Sequence, residues 1–262
     1  MTDPHQKPDL AGLERAELEA LLAERGLEPF RARQIFAWIH RRGVTALDAM
    51  TDLGKDLRTA LAPVVTVQTP TLAARERSSD GTEKFLLRLS DGKQVESVFI
   101  PDTPAQTFCI STQVGCAMAC AFCLTGKMGL VRNLTAGEIV GQVRVLVDAL
   151  GMRDVPFNLV LMGMGEPLHN YDEVMKALRM LADPLGLAVP PRRVTLSTVG
   201  LLREMERLAE EPLMPNLAIS LHAPTDEQRG ALVPLNRKYP IAEIIAACRR
   251  FPLKKRDRIT FE

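Results

Sequence analysis

After Thr107 the chain alternates short apolar runs with amphipathic stretches, and this alternation limits its fold more than any other feature. Each run is short enough for a strand, and the stretches between runs repeat apolar residues at helical spacing. A strand, a helix and a further strand in succession predict parallel pairing with helices covering the sheet. The predicted strands are residues 107–112, 158–162, 193–198, 216–222 and 258–261.

The sequence therefore predicts an α/β fold in which residues 105–262 form a partial parallel (β/α) barrel. The helix that begins at Thr135 carries a capping box, Thr135-Ala-Gly-Glu138, and further helices are predicted over 172–182, 201–210 and 241–251. Since Glu262 follows a predicted strand with no helix after it, we expect the barrel to be incomplete at its C-terminus.

Two smaller regions precede the barrel. Residues 1–62 repeat leucines and isoleucines at helical spacing, which predicts a small helical domain. Residues 63–104 contain two alternating segments on either side of Asp91-Gly92, a dipeptide typical of tight turns, and are predicted to form a β-hairpin that links the two domains.

The composition of the chain excludes few classes of function. The chain has 33 Lys and Arg against 32 Asp and Glu, so any contact with a polyanion must be local. No apolar stretch approaches the roughly 20 residues of a membrane helix, and the opening MTDPHQKPDL does not resemble a signal peptide. We therefore expect a cytoplasmic protein that has no membrane partner.

Three of the five cysteines, Cys116, Cys120 and Cys123, lie within eight positions in a loop flanked by glycines. Three thiolates can hold three irons of a [4Fe–4S] cluster and leave the fourth iron for S-adenosylmethionine (SAM). The alternative is zinc, with Cys109 or a histidine as fourth ligand. Structural zinc usually takes paired Cys-x-x-Cys motifs and the chain has one, so the spacing favours the cluster.

The segment TFCISTQVGCAMACAFCLTGKMGLVRNLTAGEI, together with GMGEPL, resembles the radical SAM superfamily. Within it, the chain looks like the dual-specificity RNA methyltransferases that act on adenine C2 in 23S rRNA and tRNA. The resemblance covers nearly the whole chain. It implies a radical SAM barrel, a [4Fe–4S] cluster and SAM as cofactors, and an N-terminal domain that binds RNA.

The resemblance also assigns positions that contact SAM. They lie in the turn Gly163–Pro167 and at the ends of two predicted strands, where β/α proteins keep their binding residues. Without the resemblance, each would be an ordinary polar or turn residue at a strand end. The matching positions are Gly165, Glu166, Ser197, Ser220, Leu221 and His222.

In that family, C2 of adenosine is methylated in the peptidyl-transferase centre of 23S rRNA and next to the tRNA anticodon, through two SAM molecules and a methylcysteine. Cys109 matches the resolving cysteine, which ends in a transient disulfide, and Glu96 matches the proton acceptor. From the residues alone, Cys109 would be a core thiol and Glu96 a surface charge. No residue matches the methyl-carrying cysteine, so we expect a truncated chain; Cys248 is predicted to be buried for packing.

The implied partners are 23S rRNA, tRNA and an electron donor such as flavodoxin, and we expect a monomer. Two alternatives stay open: a sister enzyme that methylates adenine C8 of 23S rRNA, and a non-catalytic fragment that binds RNA and a cluster. Basic residues are the candidates for RNA contact, although most such groups are solvated surface. They are Arg31, Arg33, Arg41 and Arg42 near Trp38, Arg192-Arg193, Arg237-Lys238 and Lys254-Lys255-Arg256.

Overall fold

The computed structural model describes residues 7–101, 105–254 and 257–262. Its N-terminal region is helical, as the spacing of apolar residues predicts. The helices are α1 (Arg15–Ala23), α2 (Pro29–Phe36) and α3 (Lys55–Leu61), with single 3₁₀ turns at Leu10–Gly12 and Leu47–Ala49. Pro29 occupies the first turn of α2, where its missing N–H costs nothing, and α2 runs on into a π-helical turn, Ala37–Arg41.

Three antiparallel strands follow: β1 (Thr71–Arg77), β2 (Glu83–Arg88) and β3 (Gln94–Ile100). The predicted hairpin is confirmed as β2 and β3, and Gly92 has the positive φ (81°) that its tight turn requires. Strand β1 was not visible in the sequence, because its side chains are exposed throughout and show no alternation. Since β3 also pairs with the first barrel strand, the hairpin extends the main sheet.

The remaining elements build the predicted partial barrel. In chain order they are β4 (Thr107–Cys109), β5 (Gln113–Gly115), α4 (Leu124–Lys127), β6 (Leu130–Asn133), α5 (Ala136–Leu150), β7 (Asn158–Leu161), α6 (Tyr171–Ala182), β8 (Val194–Thr198), α7 (Leu202–Ala209), β9 (Asn216–Ile219), α8 (Asp226–Leu232), α9 (Ile241–Arg250) and β10 (Ile259–Phe261). The eight-stranded sheet has the order β1-β2-β3-β4-β7-β8-β9-β10, and its last five strands are parallel. The predicted fold class is therefore confirmed.

The two faces of the parallel strands differ. Buried residues such as Phe108, Leu159 and Leu196 face the helices and form the main core. The residues between them point the other way. Cys109 lies opposite Val160, which lies opposite Thr195, and side chains directly opposite in a ladder share one face. We call this face, which the helices leave uncovered, the inner face.

Helix α5 begins as the sequence predicts. Thr135 Oγ1 accepts the Glu138 backbone N–H (3.2 Å), and a Glu138 carboxylate oxygen accepts the Thr135 N–H (2.9 Å). These reciprocal bonds satisfy two amide groups that have no partner inside the helix. Across the described ranges, no helix has both the length and the apolar character to cross a bilayer.

Candidate active site

The three clustered cysteines lie in a loop, residues 116–129, that strands β5 and β6 close at its base. The Cys116 N–H donates to the Gly129 carbonyl (3.0 Å). Gly115 has a φ of 77°, and a Cβ there would lie 1.8 Å from the Gly129 oxygen. Only glycine allows this closure, so the glycines around the motif serve to close its loop.

All three cysteines line one cavity of about 220 Å³ at the carboxyl ends of the barrel strands. Cys116 and Cys120 are each 8% exposed, and Cys123 is half-buried. Burial raises the pKa of the Cys120 thiol to about 11, and the charges of Cys116 and Cys123 raise it further. Thiols gathered in a poorly solvated space need a positive partner to become thiolates, and an iron–sulfur cluster is such a partner.

A single metal ion fits this loop less well. Among the described residues, no group of three or more His, Cys, Asp or Glu converges closely enough to hold one ion. Three thiolates on a [4Fe–4S] cluster bind three different irons and need not meet at a point. Of the fourth ligands that zinc would require, His222 lines the cavity, whereas Cys109 is not among its lining residues.

The glycine-rich turn after β7 forms the next wall of the cavity. Gly165 has a φ of 107°, and a Cβ on it would lie 2.8 Å from the Gln113 backbone nitrogen. The Gln113 amide oxygen accepts the Glu166 N–H (2.9 Å), which ties the turn to β5. The cysteine loop and the turn are thus held against each other at a point where a side chain on Gly165 would not fit.

Glu166 also lines the cavity, and its carboxylate holds backbone. One oxygen accepts the Leu168 N–H and the other the Val199 N–H, each at 3.0 Å. Burial raises the pKa of the Glu166 carboxyl to about 7, although hydrogen bonds from Val199, Thr198 and Leu168 oppose that shift. The side chain joins the turn to the end of β8, and with three of its four acceptor positions in use it keeps one for a further donor.

The strand-end residues complete the cavity wall. Ser197 and Ser220 lie on β8 and just beyond β9 with their hydroxyls 3.1 Å apart, and Ser197 Oγ also donates to the Glu262 carboxylate (3.0 Å). His222 has a φ of 60° and packs edge-on against Phe122, with ring centroids 4.7 Å apart. Ser197, Ser220 and His222 line the cavity. Leu221 does not, and its N–H donates to the backbone of β9 and β10.

Glu96 and Cys109, which the resemblance assigns as proton acceptor and resolving cysteine, are not among the residues that line the cavity. The Glu96 side chain on β3 is 48% exposed and pairs with Lys84 (3.4 Å). Burial raises the pKa of the Cys109 thiol on β4 to about 11, opposed by a hydrogen bond from Met162. Val98, two residues from Glu96, lies opposite Cys109, so both side chains belong to the inner face. Their catalytic roles remain predictions.

All five cysteines are free thiols here, so the predicted disulfide is not formed.

Sequence reasoning missed several residues of the site. Glu262 lines the cavity, and its place just after β10 was a usable signal, because parallel strands end at the same edge. Gln113 and Arg229 are both fully buried, and Arg229 bonds to backbone at the ends of β8 and β9. Gln113 lies within the segment that carries the resemblance but was given no role, and no motif pointed to Arg229.

The basic candidates for RNA contact are mostly at the surface. Arg33, Arg41, Arg42, Arg192, Arg237, Lys238 and Lys254 are exposed, and Arg31 and Arg193 are half-buried. The Arg42 guanidinium stacks over the Trp38 ring at 4.0 Å, which combines a positive charge with an aromatic plane. Lys255 and Arg256 lie outside the described residues.

Comparison with known proteins agrees with this geometry. A family model for the ribosomal RNA large subunit methyltransferase N-terminal domain matches residues 8–67, and one for the radical SAM superfamily matches residues 110–260. A solved radical SAM methyltransferase from Sphaerobacter thermophilus superposes with a TM-score of 0.90 at 46% identity, over 97% of this chain and 75% of that one.

Two curated relatives are named dual-specificity RNA methyltransferase RlmN. The Geobacter sulfurreducens protein is 52% identical over 97% of this chain, which spans 69% of that relative. The Rhodospirillum rubrum protein is 50% identical over 97% of this chain, which spans 61% of it. Radical SAM proteins use a [4Fe–4S] cluster and SAM, as the cysteine loop predicts. The chain therefore belongs to the RlmN family of radical SAM RNA methyltransferases.

Proposed function

We propose that this protein methylates C2 of adenosine in 23S rRNA and in tRNA by radical SAM chemistry. The observation that carries the proposal is the convergence of three cysteines, the glycine-rich turn and two strand ends on one cavity of about 220 Å³. The names of its relatives support RNA as the substrate class. The choice of C2, the two SAM molecules and the methylcysteine rest on the family resemblance.

In this proposal Cys116, Cys120 and Cys123 hold the [4Fe–4S] cluster. Gly165, Glu166, Ser197, Ser220, Leu221 and His222 bind SAM; five of them line the cavity, and Leu221 is assigned on the family resemblance. When bound, such a cluster would supply the one electron needed to split SAM into methionine and a 5′-deoxyadenosyl radical. Buried hydrogen bonds between the turn and the ends of β5 and β8 keep these residues in place before SAM arrives.

Glu96 and Cys109 act after the methyl-derived carbon has joined C2. The Glu96 carboxylate would take the C2 proton, and the ring radical would give up one electron to a one-electron acceptor. The Cys109 thiolate would then attack the sulfur of the methyl-carrying cysteine, so that the S–S bond forms as the S–CH2 bond breaks. The carbon left on C2 would take up a proton to become the methyl group, which releases methylated RNA. None of the five cysteines here matches that carrier. The raised pKa of Cys109 keeps it protonated at neutral pH, so its proton must leave when it attacks. We also propose a low-potential electron donor such as flavodoxin and a reaction in the cytoplasm.

Cluster binding can be tested on the chain itself. After anaerobic reconstitution with iron and sulfide, we expect bound iron, labile sulfide and 5′-deoxyadenosine on adding SAM and a reductant. Cys120→Ala should lose at least tenfold of the SAM cleavage. Cys248→Ala, a matched change of a buried cysteine on α9, should retain it. Wild-type protein without labile sulfide would contradict the proposal.

Methyl transfer requires the methyl-carrying cysteine, which none of the five cysteines here matches. It is therefore tested on a form of the protein that includes that residue, by mass spectrometry of digested RNA after incubation with labelled SAM. We expect 2-methyladenosine, and 8-methyladenosine would instead support the sister activity. Glu96→Gln should abolish the product. Glu76→Gln should not, although Glu76 is exposed and pairs with the same lysine, Lys84 (3.3 Å). SAM cleavage with no methylated adenosine would limit the protein to radical formation and contradict the proposed methylation.

A further inference from the structure

Arg229 on α8 is the largest side chain with no exposed surface among the described residues. Its guanidinium donates to three backbone carbonyls: Val199 (2.7 Å), Ser220 (3.2 Å) and Leu221 (3.1 Å). A fourth bond goes to the Asn236 amide oxygen (2.9 Å). All four acceptors are neutral, so they satisfy four of its five N–H groups and leave its charge uncompensated.

The nearest acidic group in this network is Asp226, which is linked to Arg229 only through Asn236. Its carboxylate accepts from the Asn236 amide (2.9 Å) and from the Ile241 N–H (2.9 Å) and is exposed to solvent. In the part of the chain that the structure describes, no carboxylate forms an ion pair with Arg229 itself. A buried charge without a partner is costly, which implies that something else neutralises it.

The cysteine loop contacts the helix that carries Arg229 and one of the residues to which Arg229 donates. The Ala121 N–H donates to the Leu232 carbonyl at the end of α8 (2.8 Å), and Cys120 packs with Val199 and Val233. Burial lowers the pKa of the Arg229 guanidinium, and the negative charges of Cys120 and Asp226 oppose that shift. Cys120 is therefore the residue of the cysteine loop whose negative charge acts on Arg229.

We propose that Arg229 is the buried counter-ion of the cluster and a positioning residue for the strand ends that bind SAM. A [4Fe–4S] cluster held by three thiolates is anionic and becomes more so when it accepts an electron, so a nearby fixed cation favours the reduced form. Arg229 thereby raises the reduction potential of the cluster. This inference rests on the proposed function, because it takes Cys120 as a cluster ligand.

The test is a potentiometric titration of the reconstituted chain with dithionite, followed by the electron paramagnetic resonance signal of the reduced cluster. Arg229→Gln, which removes the charge, should shift the midpoint to a more negative potential, so at least tenfold less cluster is reduced at the wild-type midpoint. Arg229→Lys keeps the charge and loses the planar fork, and its midpoint should stay close to wild type. Arg249→Gln, at an exposed arginine on α9, is the control and should match wild type.

The outcomes separate the two proposals. Wild-type protein that binds no iron and sulfide overturns the proposed function. A wild-type cluster with an unchanged midpoint in Arg229→Gln, or equal shifts in the Gln and Lys variants, overturns the counter-ion role. If Arg229→Gln does not retain a cluster, Arg229→Met takes its place as the uncharged variant. A more negative midpoint in that variant supports the counter-ion role, and an unchanged midpoint overturns it.

Discussion

His40 shows how a single residue can be placed for burial and not for chemistry. It lies in the π-helical turn after α2, is 1% exposed and packs against Phe36 with ring centroids 4.4 Å apart. Neither of its ring nitrogens has a hydrogen-bond partner among the described residues. Burial lowers the pKa of His40 to about 3, and the charge of Arg144 lowers it further. The imidazole is therefore held neutral in the native state.

This gives a prediction for stability against pH. Below pH about 6.5 His40 is protonated in the unfolded chain, whereas in the native state it stays neutral down to pH about 3. The free energy of unfolding therefore falls as the pH falls between these two values. In urea unfolding, the free energy of unfolding of His40→Leu should rise by about 2 kcal/mol relative to wild type when the pH is lowered from 7 to 5. Parallel curves for His40→Leu and wild type would contradict the buried neutral imidazole.

At the residue scale, Glu166 also changes meaning between sequence and structure. The resemblance assigns it to SAM, yet both of its oxygens hold backbone N–H groups of the turn and of β8. Its burial and its two bonds make it a brace between two loops of the cavity. The sequence does not distinguish a carboxylate that holds two loops together from one that contacts the ligand. Both roles need the same residue type at the end of a strand.

At the scale of elements, the β5–β6 hairpin positions the cysteine loop. Motif spacing identified the three cysteines, but the hairpin that encloses them is formed by two short strands, residues 113–115 and 130–133. Their pairing joins segments about fifteen residues apart, which short runs cannot signal by periodicity. The loop is closed by backbone contact between Gly115 and Gly129, and each of these glycines has a positive φ.

The two glycines make a matched pair. Gly129→Ala should cost about 1–2 kcal/mol from its left-handed conformation alone, since nothing lies within 4 Å of a Cβ there. Gly115→Ala should cost about 1–3 kcal/mol more, because its Cβ would meet the Gly129 oxygen. Urea unfolding measures both, and iron content after reconstitution should fall in Gly115→Ala. Equal losses in the two variants would show that the close contact does not constrain the loop.

At the scale of the whole molecule, the helical region docks on the barrel through ion pairs and close backbone packing. Glu14 pairs with Arg179 (2.6 Å) and Glu17 with Lys176 (2.7 Å), both between α1 and α6. Such half-exposed pairs contribute little each, about 0–1 kcal/mol. The tighter contact is at α5, where a Cβ on Gly137 would lie 2.8 Å from the backbone of the segment before α1.

Gly137→Ala should therefore loosen the docking of the helical region, even though alanine favours a helix by about 1 kcal/mol over glycine. Gly12→Ala is the matched control on the other side of the contact. A Cβ there meets its nearest atoms at 3.7 Å, which is ordinary packing. Limited proteolysis between residues 62 and 70 should be faster in Gly137→Ala and unchanged in Gly12→Ala. Equal cleavage of wild type and Gly137→Ala would contradict a docking contact at this glycine.

The sequence by itself determined the features that depend on neighbours along the chain. Apolar spacing predicted the five parallel strands, helices α5, α6, α7 and α9 and the β2–β3 hairpin, and the capping box predicted the start of α5. It did not predict α4 or α8. The spacing of Cys116, Cys120 and Cys123 predicted a cluster loop. These patterns are local, because strand and helix periods repeat within ten or so residues.

Only the tertiary structure decided which side chains meet. It gathered the cysteines, Glu166, Ser197, Ser220 and His222 around one cavity, and it placed Glu96 and Cys109 on the inner face beside that cavity. It also buried Arg229 between strand ends, where its bonds reach Val199, thirty residues away. Contacts between residues this far apart in the sequence depend on the order in which the strands pair in the sheet. Local sequence patterns do not predict that order.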